Sequence, residues 1–427
     1  MQHRIALALS RHRLRVSCSP RARPSLGRLS STATVSAKPD FSSYFLHNAR
    51  PPSETPRAEP LSIPPDHPDP LGTGAYPPPA SLAAYRTAPV LTPARLLSLY
   101  AQLSKSRLSI LVVLTAMSGV ALSPLTTTVP VLLSTALGTA LCAASANTLN
   151  QLQEIPFDAQ MARTRNRPLV RRALSPAHAA GFAVVTGVAG PALLWTMVNP
   201  TTALLGAANI VLYAGVYTWM KRRTVWNTPV GSIVGGIPPL MGWTACGGQL
   251  LPSTTYPIAT FLPPFLTSAP LDLALIDNPL APLALFMLLY SWQLAHFNPL
   301  SHLVRTAYAQ AGYHMLCILA PKKNQFVALR HAALLTAICS VLVPLSGLTT
   351  WTFALTSLVP NAIVVRAAWD FWKFGGDKYA RKLFQHTLWY LPVILGLMML
   401  HKQGLEWRKW VGLGNDEKEE DATASQS

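Results

Sequence analysis

The sequence predicts an all-α protein, a polytopic membrane bundle of about nine transmembrane helices. Three observations predict it. Half of the 427 residues are hydrophobic and 12% are charged, where a soluble domain is about one-quarter charged. Long apolar runs follow one another after residue 100, each near the roughly 20 residues a helix needs to cross a bilayer. The basic residues between those runs alternate with the connections. With spans at 108–124, 129–148, 179–197, 200–219, 229–248, 280–297, 329–346, 349–367 and 384–401, the second, fourth, sixth and eighth connections carry 5, 3, 4 and 5 Lys+Arg. Those counts include Arg330 and Arg366 at span edges, and the other four connections carry none. That is a positive-inside pattern, and a miscount by one span would scramble it. The same composition excludes a cytosolic globule and a disulfide scaffold. Net charge +18 could suit a nucleic-acid reader, but a chain this apolar does not fit one, and no nucleic-acid partner is expected.

Taken in order, residues 1–37 hold seven arginines, many serines and no acid. This is the composition of a mitochondrial transit peptide. Residues 38–99 are crowded with prolines, including Pro77-Pro78-Pro79. Proline fixes φ and removes a donor, so a disordered or polyproline-like linker is expected there. Residues 100–402 form the transmembrane domain, and 403–427 an acidic disordered tail containing Asp416, Glu417, Glu419, Glu420 and Asp421. If the basic side is the mitochondrial matrix, an odd span count places that tail in the intermembrane space. The loop 251–279 reads as a lid or packing segment. The five cysteines form no CxxC pair, and those in apolar runs read as small hydrophobes.

The chemically informative stretch closes span 2. Asn150, Glu154 and Asp158 are spaced four apart, so a helix puts them on one face. Pro156 is expected to loosen the helix, so Asp158 could come from a turn instead. Two carboxylates and an amide at a membrane boundary suit a hard cation such as Mg²⁺. Ionisable groups inside a membrane are costly and usually functional. Arg163, Arg165, Arg167, Arg171 and Arg172 follow directly. Carboxylates beside guanidiniums suit a Mg²⁺-chelated polyanion, most simply a diphosphate. The plainer reading is a capped helix end with a topogenic basic loop; the spacing of three polar groups favours function.

These residues also carry a family resemblance. The Asn-x3-Glu-x3-Asp pattern, followed by Met161-Ala162-Arg163-Thr164-Arg165-Asn166-Arg167-Pro168-Leu169, resembles the first aspartate-rich motif of the UbiA superfamily of intramembrane prenyltransferases. Within it, the protohaem IX farnesyltransferase (haem O synthase) branch, in its mitochondrial form, is most similar. The likeness covers about residues 100–402. It includes Leu103-Ser104-Lys105-Ser106-Arg107-Leu108, residues 217–231, Gly236-Ile237-Pro238-Pro239, Trp292-Gln293-Leu294-Ala295-His296-Phe297, Leu329-Arg330-His331 and Ala380-Arg381-Lys382-Leu383-Phe384.

The resemblance implies a UbiA-like fold and Mg²⁺-dependent transfer of a farnesyl group from farnesyl diphosphate to a vinyl group of haem B. The product would be haem O, on the way to the haem A of cytochrome c oxidase. It implies Mg²⁺ on Glu154 and Asp158, with Asn150 and Lys221 as further catalytic groups. Substrate contacts would come from Arg163, Arg167, Arg222, Asn227, His296, Arg305, Tyr308, Arg330 and His331. Expected partners are farnesyl diphosphate, haem B, the bilayer and a downstream haem-modifying enzyme. The location implied is the mitochondrial inner membrane, with the active-site loops toward the matrix. The second motif departs from the family's Arg-x-Asp-Tyr, since residues 305–308 read Arg305-Thr306-Ala307-Tyr308. His302 stands where the family has Trp. A missing carboxylate weakens a second metal-binding cluster. Competing readings are another UbiA-type acceptor, a non-catalytic assembly factor, and a transporter. The last would show paired broken helices near the midplane, whereas the polar residues here gather at one face.

Overall fold

The computed structural model describes residues 91–266 and 277–404. The expectations for residues 1–37, most of the 38–99 linker, most of the 403–427 tail and Asp272 lie outside the described residues. The described chain is helical, with one isolated bridge between Thr349 and Lys402. The helices are α1 Pro93–Leu103, α2 Ser106–Leu122, α3 Val129–Asp158, α4 Pro176–Met197, α5 Pro200–Met220 and α6 Asn227–Ala245. After a long connection come α7 Leu280–Leu303, the short α8 Arg305–Gln310, α9 Pro321–Leu345, α10 Thr352–Phe374 and α11 Gly376–Leu400.

Local sequence explains several starts. Thr92, Ser175 and Asn199 each accept a backbone N–H with the side chain, and Pro93, Pro176 and Pro200 occupy the first helical position. Proline there loses nothing, because that N–H has no partner in a helix anyway. The same signal makes residues 93–99 helical, against the linker expectation. Leu99 and Leu103 supply the buried anchors that hold α1 down.

A helix occupies each of the nine positions expected to span the membrane. Among the described residues, seven helices are long and apolar enough to cross one, or eight if the bent pair α1–α2 counts as a span. The one that falls short is α6. It carries Gly235, Gly236, Pro238, Pro239 and Gly242 in place of large apolar residues. It is nonetheless central, packing against α2, α5 and α7. A Cβ at Gly119 would run into Pro239 O, and one at Gly242 into Ala116 O. Helix α6 therefore packs backbone against backbone, a mode that small residues permit and lipid-exposed surface does not require.

The larger apolar core lies among α7, α9, α10 and α11, around Leu285, Leu288, Phe353, Phe371 and Tyr390. A smaller one, with Cys142, Leu194 and Met241, joins α3, α4 and α6. Large apolar side chains such as Leu111, Val185 and Val359 point outward, as lipid-facing residues must. The described part of the long connection is a packing segment at the far end of α6. Phe261 N donates to Leu345 O, Trp351 Nε1 donates to Phe261 O, and the Asn278 side chain ties Ala259 to Ser346.

Candidate active site

Helix α3 continues through Pro156 to Asp158. Pro156 removes one hydrogen bond in the last turn without ending the helix. Asn150, Glu154 and Asp158 thus share one face of a single helix, and Asp158 does not come from a turn. All three are buried. Charged groups so placed need partners, and each has them.

Lys221, immediately after α5, brings its Nζ to 2.6 Å from Glu154 Oε1. Arg167, from the loop after α3, donates to Asp158 Oδ2 and lies 3.7 Å from Glu154 Oε2. The loop turns back because Thr164 donates to Asp158 O. Asn150 accepts from Lys105 Nζ at 2.8 Å and donates to Thr218 Oγ1 at 3.0 Å. Lys105 stands at the 59° bend between α1 and α2 with φ of 48°. A left-handed lysine is uncommon, and here it carries the ammonium inward. The cluster gathers three basic side chains, Lys105, Arg167 and Lys221, around Asn150 and two carboxylates.

Burial works against the Lys221 ammonium, but Glu154 outweighs it and holds its pKa well above the ordinary lysine value. Lys221 Nζ also lies 4.6 Å from the centre of the Tyr217 ring. Tyr217 ends a π-helical stretch, Val211–Tyr217. Such stretches recur at functional sites because they turn side chains out of the regular register. This one leaves Ala214 O free to accept from Gln153 Nε2 at 2.9 Å. It also places Tyr213 OH 3.4 Å from both Lys105 Nζ and Asn147 Oδ1.

Among the described residues, no three His, Cys, Asp or Glu side chains gather as a metal site. The donor set still fits one hard cation. Asp158 Oδ1 is buried with no hydrogen-bond partner, and Glu154 Oε2 has Arg167 at 3.7 Å, with Tyr313 also beside this carboxylate. Both are carboxylate oxygens one helical turn apart, the kind of ligand Mg²⁺ takes alongside substrate phosphates.

The other expected residues fall into separate groups. Arg163 lies beside Tyr308, and Tyr308 packs with Met161 and Tyr313. Arg222 lays its guanidinium 4.2 Å over the Phe157 ring. Asn227 is fully buried and bonds backbone only, apart from Thr228. Arg305 pairs at 2.6 Å with Asp377, at the start of α11, and His302 reaches the same oxygen at 3.3 Å. His296 is stacked between Trp292 and Phe384 and shares a hydrogen bond with Thr387. His331 faces Ser291 and the edge of Tyr290, with Arg330 beside it. Sequence reasoning missed Lys105, Asn147, Tyr213 and Thr218 as site members. Only Lys105 left a signal, a lysine abutting an apolar run with no acid nearby.

The described helices form a bundle of membrane-spanning character with a buried cluster of carboxylates and basic side chains at the end of α3. The UbiA prenyltransferase family matches residues 112–391. The chain belongs to the UbiA prenyltransferase family. Within it, the chain is 41% identical over 364 residues to the mitochondrial protoheme IX farnesyltransferase of Gibberella zeae, covering 82% of this chain and 69% of that protein. The Yarrowia lipolytica protein of the same name is 41% identical over 333 residues, covering 75% and 64%. The Neurospora crassa protein is 42% identical over 355 residues, covering 79% and 67%. The chain thus spans about two-thirds of the length of these relatives. In fold it is similar to a digeranylgeranylglyceryl phosphate synthase, with TM-score 0.54, 15% identity, and coverage of 71% of this chain and 98% of that one. It is also similar to a UbiA homologue from Aeropyrum pernix, with TM-score 0.51, 18% identity, and coverage of 69% and 97%.

Proposed function

We propose that the protein transfers a farnesyl group from farnesyl diphosphate to a vinyl group of protohaem IX (haem B), giving haem O. The observation that carries this is the buried cluster of Glu154, Asp158, Arg167 and Lys221 at the end of α3, in a chain 41% identical to a mitochondrial protoheme IX farnesyltransferase.

The chemistry follows from the charges. The allylic C–O bond breaks and its electron pair leaves with the diphosphate. Lys221, Lys105 and Arg167 are fixed before that charge develops, so they stabilise the departing anion without reorganising. Arg163 and Arg222, both exposed at the mouth, draw the anion in. Glu154 and Asp158 would hold Mg²⁺, which when bound supplies further charge neutralisation at the leaving group. Asn150 orients Lys105. The apolar bundle keeps water from the allylic cation. The vinyl π pair then forms the new C–C bond. Water captures the resulting cation and loses a proton, leaving a hydroxyethylfarnesyl haem. The haem face is assigned to His296, His331, Arg330, Arg305 and Tyr308, with the histidines as candidates for the iron.

The same reading makes the chain a nine-span protein of the mitochondrial inner membrane. Helix α6 is the ninth span, the arginine-rich residues 1–37 direct import, and the basic loops face the matrix. It leaves the C-terminus in the intermembrane space, and the product passes to a haem-modifying enzyme. Protease protection of a C-terminal tag in mitoplasts tests that orientation; a protected tag rejects it. The activity is tested in cells lacking their own haem farnesyltransferase, by extracting haems for reversed-phase chromatography with mass detection. Farnesylated haem is expected with the wild type and not with Glu154→Ala or Asp158→Ala. Haem B alone, from correctly inserted protein, rejects the haem reading in favour of another prenyl acceptor or a non-catalytic role.

A further inference from the structure

Asn227 has no accessible surface, and its amide is spent on backbone. Nδ2 donates to Thr224 O at 2.5 Å and to His314 O at 2.9 Å. Oδ1 accepts from Thr228 Oγ1 at 3.1 Å. His314 N donates in turn to Lys221 O at 2.8 Å. Both peptide groups of His314 are therefore used to tie the 221–227 turn to the 312–315 segment, once at Lys221 and once at Asn227. Gly312, with φ of 69°, turns that segment beside Arg222. Tyr313 then packs edge-on to Phe157 of α3. The result is a closed loop of contacts: Lys221 to Glu154, α3 to Tyr313, His314 back to Lys221, with Asn227 as the second rung.

We infer that Asn227 is a positioning residue that sets the main chain of Lys221, and that it does not touch substrate. The clamp works through the peptide of His314, whose imidazole is exposed and plays no part in it. A lysine ammonium on a four-carbon stem has many rotamers. Fixing its backbone on two sides, with Glu154 at the tip, selects the one that faces the leaving group. Small misplacements of such a group cost large factors in rate. This inference rests on the role proposed above for Lys221, and the test separates the two.

The test is a double-mutant cycle on the full chain in membranes, reading haem O formation with farnesyl diphosphate and haem B. Asn227→Ala is expected to lower kcat about tenfold with KM for haem unchanged. In a Lys221→Met background the same substitution is expected to cost less than about twofold, because the group it positions is gone. His314→Ala keeps both peptide contacts and is expected to retain wild-type kcat. Asn227→Ser, which keeps a buried donor, is made alongside so that at least one variant accumulates. Asn361→Ala removes another buried asparagine, bonded to Tyr390 OH, and is expected to lower thermal stability while leaving kcat alone. Full activity in Lys221→Met removes the proposed role of Lys221. A damaging Lys221→Met with an Asn227→Ala cost that simply adds to it keeps that role and overturns the clamp.

Discussion

Two corners of this bundle carry charge, and they are built on different principles. At the end of α3, the Glu154 and Asp158 side chains are 6% and 1% exposed and pair with Lys221 and Arg167. At the α7–α8 corner, Asp377 is 54% exposed and meets Arg305 and His302. Bond lengths are similar, 2.6 Å for both Lys221–Glu154 and Arg305–Asp377. Distance therefore does not separate them; surroundings do. An exposed pair competes with water and salt and contributes about 0–1 kcal/mol. A buried pair with one partner removed leaves an uncompensated charge, at a cost of about 3–5 kcal/mol. The first corner can concentrate field on a substrate; at the second, Asp377 braces the turn that carries Arg305.

Four substitutions probe this contrast, the largest effect first. Glu154→Gln is expected to reduce haem O formation about 10²–10³-fold and to lower the unfolding temperature in detergent, since Lys221 loses its counter-ion. Wild-type turnover with that variant would detach the cluster from the chemistry. Lys221→Met is expected to cost about 10²-fold in kcat, measured under saturating farnesyl diphosphate. Lys105→Gly keeps the left-handed backbone, which glycine adopts freely, and deletes the amine. It is expected to lose about tenfold in kcat/KM for the diphosphate; unchanged kinetics would show that position 105 matters only as a bend. Asp377→Asn is expected to stay within about twofold of wild type, and raised salt should mimic it. A loss from Asp377→Asn as large as that from Glu154→Gln would erase the distinction between the corners.

The legible part of the site was its covalent spacing. Asn150, Glu154 and Asp158 announce a helix face, and the structure needs no more than a continuous α3 to assemble them. Lys221 and Arg167 could be nominated by their place among basic loops, but which carboxylate each meets depends on how α5 and the post-α3 loop fold back. Tyr213 and Thr218 were not legible, and the signal at Lys105 did not separate a site residue from a span boundary, because polar residues in or beside an apolar helix look like boundary or packing residues. Asn227 was legible as a candidate substrate contact, and only its bonds to Thr224 and His314 point to a positioning role instead. The histidines show the reverse: His296 and His331 stood out in sequence, and the structure places them in aromatic and hydroxyl contacts of their own.

Fold followed the same division. The apolar runs and one-sided basic loops were enough to read a helical membrane bundle and to place its helices, because backbone polar groups in lipid must bond within their own segment. Periodicity did not reveal that α6 lies at the centre with a surface of glycine and proline. Its neighbours on α2 are distant in sequence, and close backbone approach leaves no apolar signature. The helix face that bears the carboxylates was determined by the sequence alone, since i and i+4 must coincide on a helix. The partners of those carboxylates were decided by the tertiary structure, since Lys105, Arg167 and Lys221 come from three separate segments that meet only when the bundle closes.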